Sequence, residues 1–235
     1  MLEPYEIICF DAGGTLFRPY PSVGEVYSRV ADRHGCKAEA QVLEAKFRDL
    51  WHRRDVRSRM TDNADEKIEK EWWRALVAEV FQDFSGLRDF DVFFQELYTE
   101  FAGPDCWRLF PETLDVLETL KRRGKALGVI SNWDSRLFAL CEGLKIDHHF
   151  DFILASAVFG ASKPGPRIFE EALRRAGVRP EQAVHVGDSL EDDIHGARAA
   201  GMRAIWIDRH QRRQADPQAF HEVTIIQDLR ELLDF

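Results

Sequence analysis

The sequence predicts an α/β fold, a doubly wound parallel sheet with a block of helices inserted after its first strand. Three observations lead there. The chain enters almost at once the run Ile7-Ile8-Cys9-Phe10, with no polar residue inside it. Such a run suits a strand buried on both faces of a parallel sheet. From Phe110 onward, short apolar runs alternate with amphipathic stretches, as repeated βαβ units require. Between about residues 22 and 103 the apolar spacing is helical throughout, with no convincing strand.

The elements follow in order. Val26 and Val30 lie one helical step apart, and Leu43, Phe47, Leu50 and Trp51 repeat the spacing. Trp72, Trp73, Leu76, Val77, Val80 and Phe81 give a third set, and Phe93, Phe94, Leu97 and Phe101 a fourth. Gly103-Pro104 breaks the pattern. Residues 111–123 then read as a helix, 126–130 as a short buried strand, 137–144 as a helix and 152–155 as a strand. Residues 164–176 read as a helix opened by Pro164, where a missing N–H costs least. Strands at 183–186 and 204–207 flank a helix at 192–200. An edge-like strand at 223–226 precedes a terminal helix at 229–233.

With 45% hydrophobic and 31% charged residues, the chain of 235 residues is expected to bury a real core and to be soluble. A net charge of −9 argues against broad binding to nucleic acid or to an anionic membrane, both of which need a positive field. It leaves room for a small anionic substrate held by local donors or a metal. No basic n-region precedes the first strand and no apolar run is long enough for a bilayer, so the expected location is cytoplasmic. Cys9, Cys36, Cys106 and Cys141 are far apart and form no C-x-x-C pair, which favours reduced thiols over zinc.

Four segments that follow strands carry the chemistry. The first is Asp11-Ala12-Gly13-Gly14-Thr15, where glycines let the backbone turn and bring N–H groups to an anion. A carboxylate beside those donors can attack phosphorus, although the same residues also make ordinary turns. Ser131-Asn132 follows the second strand, Lys163 precedes Pro164, and Gly187-Asp188-Ser189 precedes Asp192 and Asp193. Together they place a nucleophile, hydroxyl donors, a cation and an acidic cluster on one rim of one sheet, where such folds bind ligands.

These four motifs resemble those of the haloacid dehalogenase (HAD) superfamily of hydrolases, and the helical insertion resembles its type C1 cap. Ser131-Asn132-Trp133-Asp134-Ser135-Arg136-Leu137 and Lys163-Pro164-Gly165-Pro166-Arg167-Ile168-Phe169 are similar to the subgroup named for a "rhythmically expressed gene 2" protein. The resemblance spans essentially the full chain. It implies a Rossmann-like core at 1–17 and 107–235 and a cap at 18–106. It also implies that Asp11 forms a covalent aspartyl intermediate, with Thr15, Ser131, Gly14 and Asn132 donating to the transferring group. Lys163 holds Asp11 and the substrate charge. Mg²⁺ falls to Asp11, the Gly13 carbonyl and Asp188, with Asp193 ordering the outer shell. Asp192 and Asp193 point about 100° apart on a helix, so one of them faces the metal. Asp193 is the choice, with Asp192 left to start the helix.

Position 13 departs from the pattern. HAD phosphatases carry a second aspartate there, as general acid and base, and glycine can be neither. The loss is worth about 10²–10⁴ in rate. Aryl and acyl phosphates, with good leaving groups, suffer least. The resemblance therefore implies a Mg²⁺-dependent phosphatase acting on a small phosphorylated molecule, as a monomer or homodimer. Two alternatives stay open, a regulatory binding protein on this scaffold and a metal-free 2-haloacid dehalogenase. The acidic cluster weighs against the second, because it repels a carboxylate substrate.

Five other groups read as structural. Trp51-His52-Arg53-Arg54-Asp55-Val56-Arg57 is expected to be a solvated helix face, Trp72 and Trp73 cap core, and His148-His149 surface. His185 is expected to be a satisfied core residue, and Asp134 with Arg136 a local ion pair that orders its loop.

Overall fold

The structure is a computed structural model and describes residues 5–53, 63–209 and 223–234. Six parallel strands form the main sheet: β1 (Ile7–Phe10), β4 (Ala126–Ser131), β5 (Phe152–Ala155), β6 (Ala183–Gly187), β7 (Arg203–Ile207) and β8 (Thr224–Ile226). Their spatial order is β5-β4-β1-β6-β7-β8. Taken by their sequence in the sheet this is 3-2-1-4-5-6, the doubly wound order of a Rossmann-like fold. β1 lies at the centre, with Ile7 in register with Ala126 on one side and Ala183 on the other. The chain leaves β1 in one direction and later returns to its other flank. The crevice above the carboxyl end of β1 is therefore the topological switch point.

Strand periodicity divides the core into two layers. Ile8 and Phe10 face one way, with Leu127, Val129, Val184 and Val186, and meet Val116, Leu117 and Leu120 of α5 (Thr113–Arg122). α6 (Arg136–Gly143) adds Leu137 and Leu140 to that layer. Ile7 and Cys9 face the other way and meet Ile168, Phe169 and Ala172 of α8 (Pro166–Ala176). Burial on both faces explains why β1 carries no polar residue. The four cysteines are free and buried, and burial pushes the Cys9 and Cys141 thiols up to about 12, which keeps them protonated.

The helical block comprises α1 (Val23–Arg33), α2 (Ala40–Arg53), α3 (Glu66–Phe81) and α4 (Phe90–Glu100). Val26, Val30, Leu43, Val77, Val80, Phe93 and Leu97 build an apolar cluster of its own. The block is joined to the sheet through a two-stranded antiparallel ribbon, β2 (Phe17–Pro19) with β3 (Trp107–Leu109). No strand had been expected in either segment, because three residues are too few to show a period. Where the block meets the sheet, Tyr98 of α4 donates from its hydroxyl to Asp134, 2.5 Å, and its ring lies 3.5 Å under the Arg136 guanidinium. Arg136 grips Asp134 at 2.8 and 2.9 Å and the Tyr98 carbonyl at 3.1 Å. The expected local pair is thus also a bridge to the helical block.

Other expectations shift. The helix expected from Pro164 starts at Pro166, the proline that stands at its first position, while Lys163-Pro164 is a cis peptide. The helix expected at 192–200 is a π-helical turn, Leu190–His195, that runs into α9 (Gly196–Ala199). His149 is buried, contrary to a surface pair, while His148 is exposed. Trp73 packs against the cluster of the helical block, but Trp51 remains exposed and Trp72 only half-buried. Arg53 is exposed and pairs with Asp49, as a solvated face requires, whereas residues 54–57 lie outside the described residues. No described helix is long and apolar enough to cross a membrane.

α1 and α2 touch through Gly24. A Cβ there would lie 2.1 Å from the Ala40 carbonyl oxygen and 2.7 Å from the Glu44 nitrogen, and its N–H donates to Glu44 at 2.7 Å. Gly24→Ala should force the helices apart and cost about 1–3 kcal/mol, the usual penalty of overpacking. Urea unfolding measures it, and an unchanged midpoint would refute the contact.

Candidate active site

The loops above β1, β4, β5 and β6 converge on Asp11. It follows β1 directly, 7% exposed, and its N–H donates to the Val186 carbonyl at 2.9 Å, which ties it to β6. The next residues turn sharply. Gly14, not Gly13, takes the left-handed conformation with φ 85°, and its N–H donates to the Phe17 carbonyl at 2.8 Å. A Cβ on Gly14 would lie 2.8 Å from the Asp188 carboxyl group, so glycine is required for both backbone and space.

Ser131 ends β4 and donates from its hydroxyl to Asp11 at 3.0 Å. Asn132 was expected to donate its backbone N–H to a ligand. Its side chain does something else, because it donates to the Lys163 carbonyl at 2.9 Å and accepts the Lys163 N–H at 2.8 Å. That reciprocal pair bolts the Lys163 loop to the end of β4. Lys163, 2% exposed, then reaches Asp11 at 2.7 Å and Asp193 at 2.5 Å. Asp193 is completed by His185 Nε2 at 2.9 Å and the Ser189 N–H at 2.9 Å. A Cβ on Gly187 would lie 2.1 Å from the Asp193 Cγ, so the close approach needs glycine there too.

Asp193 is buried within the cluster, and the Asp192 N–H donates to the Ser189 hydroxyl at 3.2 Å. Oxygens of Asp11, Asp188 and Asp193 lie within 4.8 Å of one another. The buried Thr15 hydroxyl has no hydrogen-bond partner among the described residues. An orphaned buried donor four residues after Asp11 is what an anion would satisfy.

Sequence reasoning missed three contributors. His185 sits wholly buried against Asp193, in a strand where alternation alone reads as core. Arg209, just after β7, donates to the Thr15 carbonyl at 2.8 Å, pairs with Glu112 at 2.7 Å and stacks 3.5 Å from the Phe110 ring. Trp133 leans over Gly13, where a Cβ would lie 3.1 Å from its Cζ3. A buried histidine beside an Asp-rich loop is the one signal that could have been read.

Electrostatics follow from burial. Three carboxylates gather here, and one buried ammonium, that of Lys163, lies between two of them. Burial pushes the Asp11 carboxyl above the usual range, with Lys163 pulling it down and the charge of Asp193 pushing it further up. Burial would raise Asp193 too, but Lys163 and His185 outweigh it and hold that carboxyl below its usual range. Burial would lower Lys163, but the two carboxylates hold its ammonium above the usual lysine range. Asp193 therefore contributes stability that is lost as pH falls through its folded value. Lys163 contributes below its unfolded value and loses that contribution as pH climbs.

Lys163→Met would strand two buried carboxylates. It should cost about 3–5 kcal/mol near neutral pH in metal-free buffer. The loss should shrink in acid, because the raised Asp11 carboxyl takes up a proton more readily and relieves the repulsion. Urea unfolding at neutral and at acid pH measures this, and an equal loss at each would contradict the charge assignment.

The comparisons with known proteins agree with this geometry. A family model described as haloacid dehalogenase-like hydrolase matches residues 5–201. The chain is 34% identical over 204 residues to haloacid dehalogenase-like hydrolase domain-containing protein 3 of Homo sapiens, covering 86% of this chain and 81% of that protein. It is 28% identical over 221 residues to the rhythmically expressed gene 2 protein of Drosophila melanogaster, covering 88% and 84%. The crystal structure of a HAD phosphatase from Thermococcus onnurineus superposes with a TM-score of 0.67 at 25% identity, covering 97% of this chain and 96% of that one. With four motif loops gathered at the switch point of a Rossmann-like sheet, and a matching model over most of its length, this chain belongs to the haloacid dehalogenase-like hydrolase family.

Proposed function

We propose that the protein is a Mg²⁺-dependent phosphatase that transfers the phosphoryl group of a small phosphorylated molecule to Asp11 and then to water. The observation that carries this reading is the cluster of Asp11, Asp188 and Asp193 about one lysine. Three carboxylates whose oxygens converge suit a divalent cation, and oxygen-only donors suit magnesium. Asp11 and Asp188 would hold the ion with the Gly13 carbonyl, while Asp193, already engaged by Lys163, His185 and Ser189, orients the set from behind. When bound, the ion supplies positive charge to the transferring group and lowers the Asp11 pKa.

The remaining work falls to residues of the chain. Asp11 attacks. Ser131 and Lys163, both already on Asp11, steady its carboxylate, and the free Thr15 hydroxyl donates to a phosphoryl oxygen. Backbone N–H groups of the Gly13-Gly14 turn and of Asn132 complete the cradle. The helical segment 18–106 acts as the cap that excludes water, with the β2–β3 ribbon as its stem. The same acidic cluster disfavours the dehalogenase reading, whose carboxylate substrate would meet three carboxylates.

With Mg²⁺ the protein should release phosphate from aryl and acyl phosphates, and chelation should abolish the release. Asp11→Asn should lower turnover at least about 10²-fold with the fold intact. Halide release from a 2-haloacid, unaffected by chelation, would install the dehalogenase reading instead. Mg²⁺-dependent stabilisation with no turnover of any phosphate would install the binding protein, the reading that Gly13 favours.

A further inference from the structure

Position 13 is not only without a carboxylate; it is also covered. A side chain there would leave the backbone toward the benzo edge of Trp133, its Cβ 3.1 Å from Cζ3 and 3.8 Å from Cη2. The indole has little freedom to withdraw. The Trp133 N–H donates to the Ser156 hydroxyl at 3.1 Å and its carbonyl accepts the Ala157 N–H at 3.0 Å, which pins its backbone to the end of β5. Its ring packs 5.9 Å from Phe17 and 5.1 Å from Trp107, and those two rings lie 5.4 Å apart. The three aromatics form one slab at the root of the β2–β3 ribbon. Half-buried Trp133 is its inner end, over the place from which a general acid or base would act.

We propose that the Gly13–Trp133 pair makes phosphoryl uptake and phosphoryl release unequal, so that acyl or aryl phosphates load Asp11 rapidly and the aspartyl phosphate is long-lived. This rests on the phosphatase reading and deepens it. In the first step an Asp11 oxygen bonds to phosphorus as the phosphorus–oxygen bond to the leaving group breaks. The electron pair departs on that oxygen as a carboxylate or phenolate, which needs no proton. An alkoxide leaving group would need one, and the slab offers none. In the second step water attacks phosphorus, the bond to Asp11 breaks, and the electron pair returns to the Asp11 carboxylate. The proton lost by water passes to the phosphate product or to solvent. Without a base to take that proton early, release is slowed by about 10²–10⁴. Trp133 thereby acts as a specificity-determining residue, selecting leaving groups by their basicity.

Rapid-quench kinetics with p-nitrophenyl phosphate and acetyl phosphate, in the presence of Mg²⁺, tests the proposal on the unmodified chain. The expected result is a burst of about one p-nitrophenolate per chain before slow turnover, the fingerprint of a covalent intermediate that accumulates. Intact mass after acid quench should show one added phosphoryl group, absent in Asp11→Asn. Gly13→Asp alone should gain less than the double variant described next, because a side chain there meets the Trp133 ring. Gly13→Asp with Trp133→Leu should lose the burst and raise glycerol phosphate turnover about 10-fold or more. Linear release with no phosphorylated chain would overturn the proposal while leaving the phosphatase reading intact. So would a Gly13→Asp single variant that matches the double. Failure of the wild type to react with either phosphate would remove both. Because the burst is read on the wild type, a double variant that fails to fold does not shelter the proposal.

Discussion

The Lys163 ammonium is the contact on which the arrangement of this site depends. It lies between two buried carboxylates, 2.7 Å from Asp11 and 2.5 Å from Asp193, and so joins the loop after β1 to the turn after β6. Burial opposes the charge of each carboxylate, and Lys163 opposes that burial for both. Burial opposes the lysine's charge as well, and the two carboxylates outweigh it. Each charge therefore supports the others. This mutual dependence explains why the surrounding hydrogen bonds are spent on position. Asn132 fixes the Lys163 backbone from two sides, and His185 and Ser189 fix Asp193.

The price of bringing carboxylates this close appears in the backbone. Gly14 and Gly187 have no side chain because the carboxyl groups of Asp188 and Asp193 occupy the space a Cβ would take. Rigid braces then hold the loops from outside the cluster. Arg209 grips the Thr15 carbonyl while resting on Phe110, and the Trp206 indole N–H donates to the Asp188 carbonyl at 3.0 Å. Both come from β7 or its end, so the strand next to β6 buttresses the two loops that carry Asp11 and Asp188. Preorganisation of this kind lets donors and charges act without reorganising during reaction.

What the sequence disclosed follows from how local each signal is. The strands of the main sheet were readable because burial on both faces leaves them mostly apolar, and their order placed Asp11, Ser131, Lys163 and Asp188 on one rim. Features that depend on two distant segments were not readable. Asp134 and Arg136 read as a local pair because Tyr98 lies in another part of the chain. His185 read as core because only the fold brings Asp193 beneath it. Pro164 read as a helix start because nothing local separates it from Pro166, whereas Lys163 must leave its backbone free for Asn132 before a helix can begin. The absent carboxylate at position 13 was legible; the indole that covers it was not.

That pairing ties chemistry to architecture. Trp133 lies close enough to position 13 that a Cβ there would press on it, and its ring packs in turn against Phe17 of β2 and Trp107 of β3. The same rings therefore pack at the stem of the helical block and cover Gly13, two residues after Asp11. Tyr98 links α4 to Asp134 and Arg136, which follow Trp133 by one and three residues. One short segment, 131–136, thus carries a hydroxyl donor to Asp11, the clamp on Lys163, the cover over Gly13 and the bridge to the helical block. A movement of the helical block that strains the Tyr98 bridge would be felt at Trp133 first, because the intervening chain is too short to absorb it. An acid at position 13 would therefore press on an indole that belongs to the same aromatic cluster as the stem of the helical block.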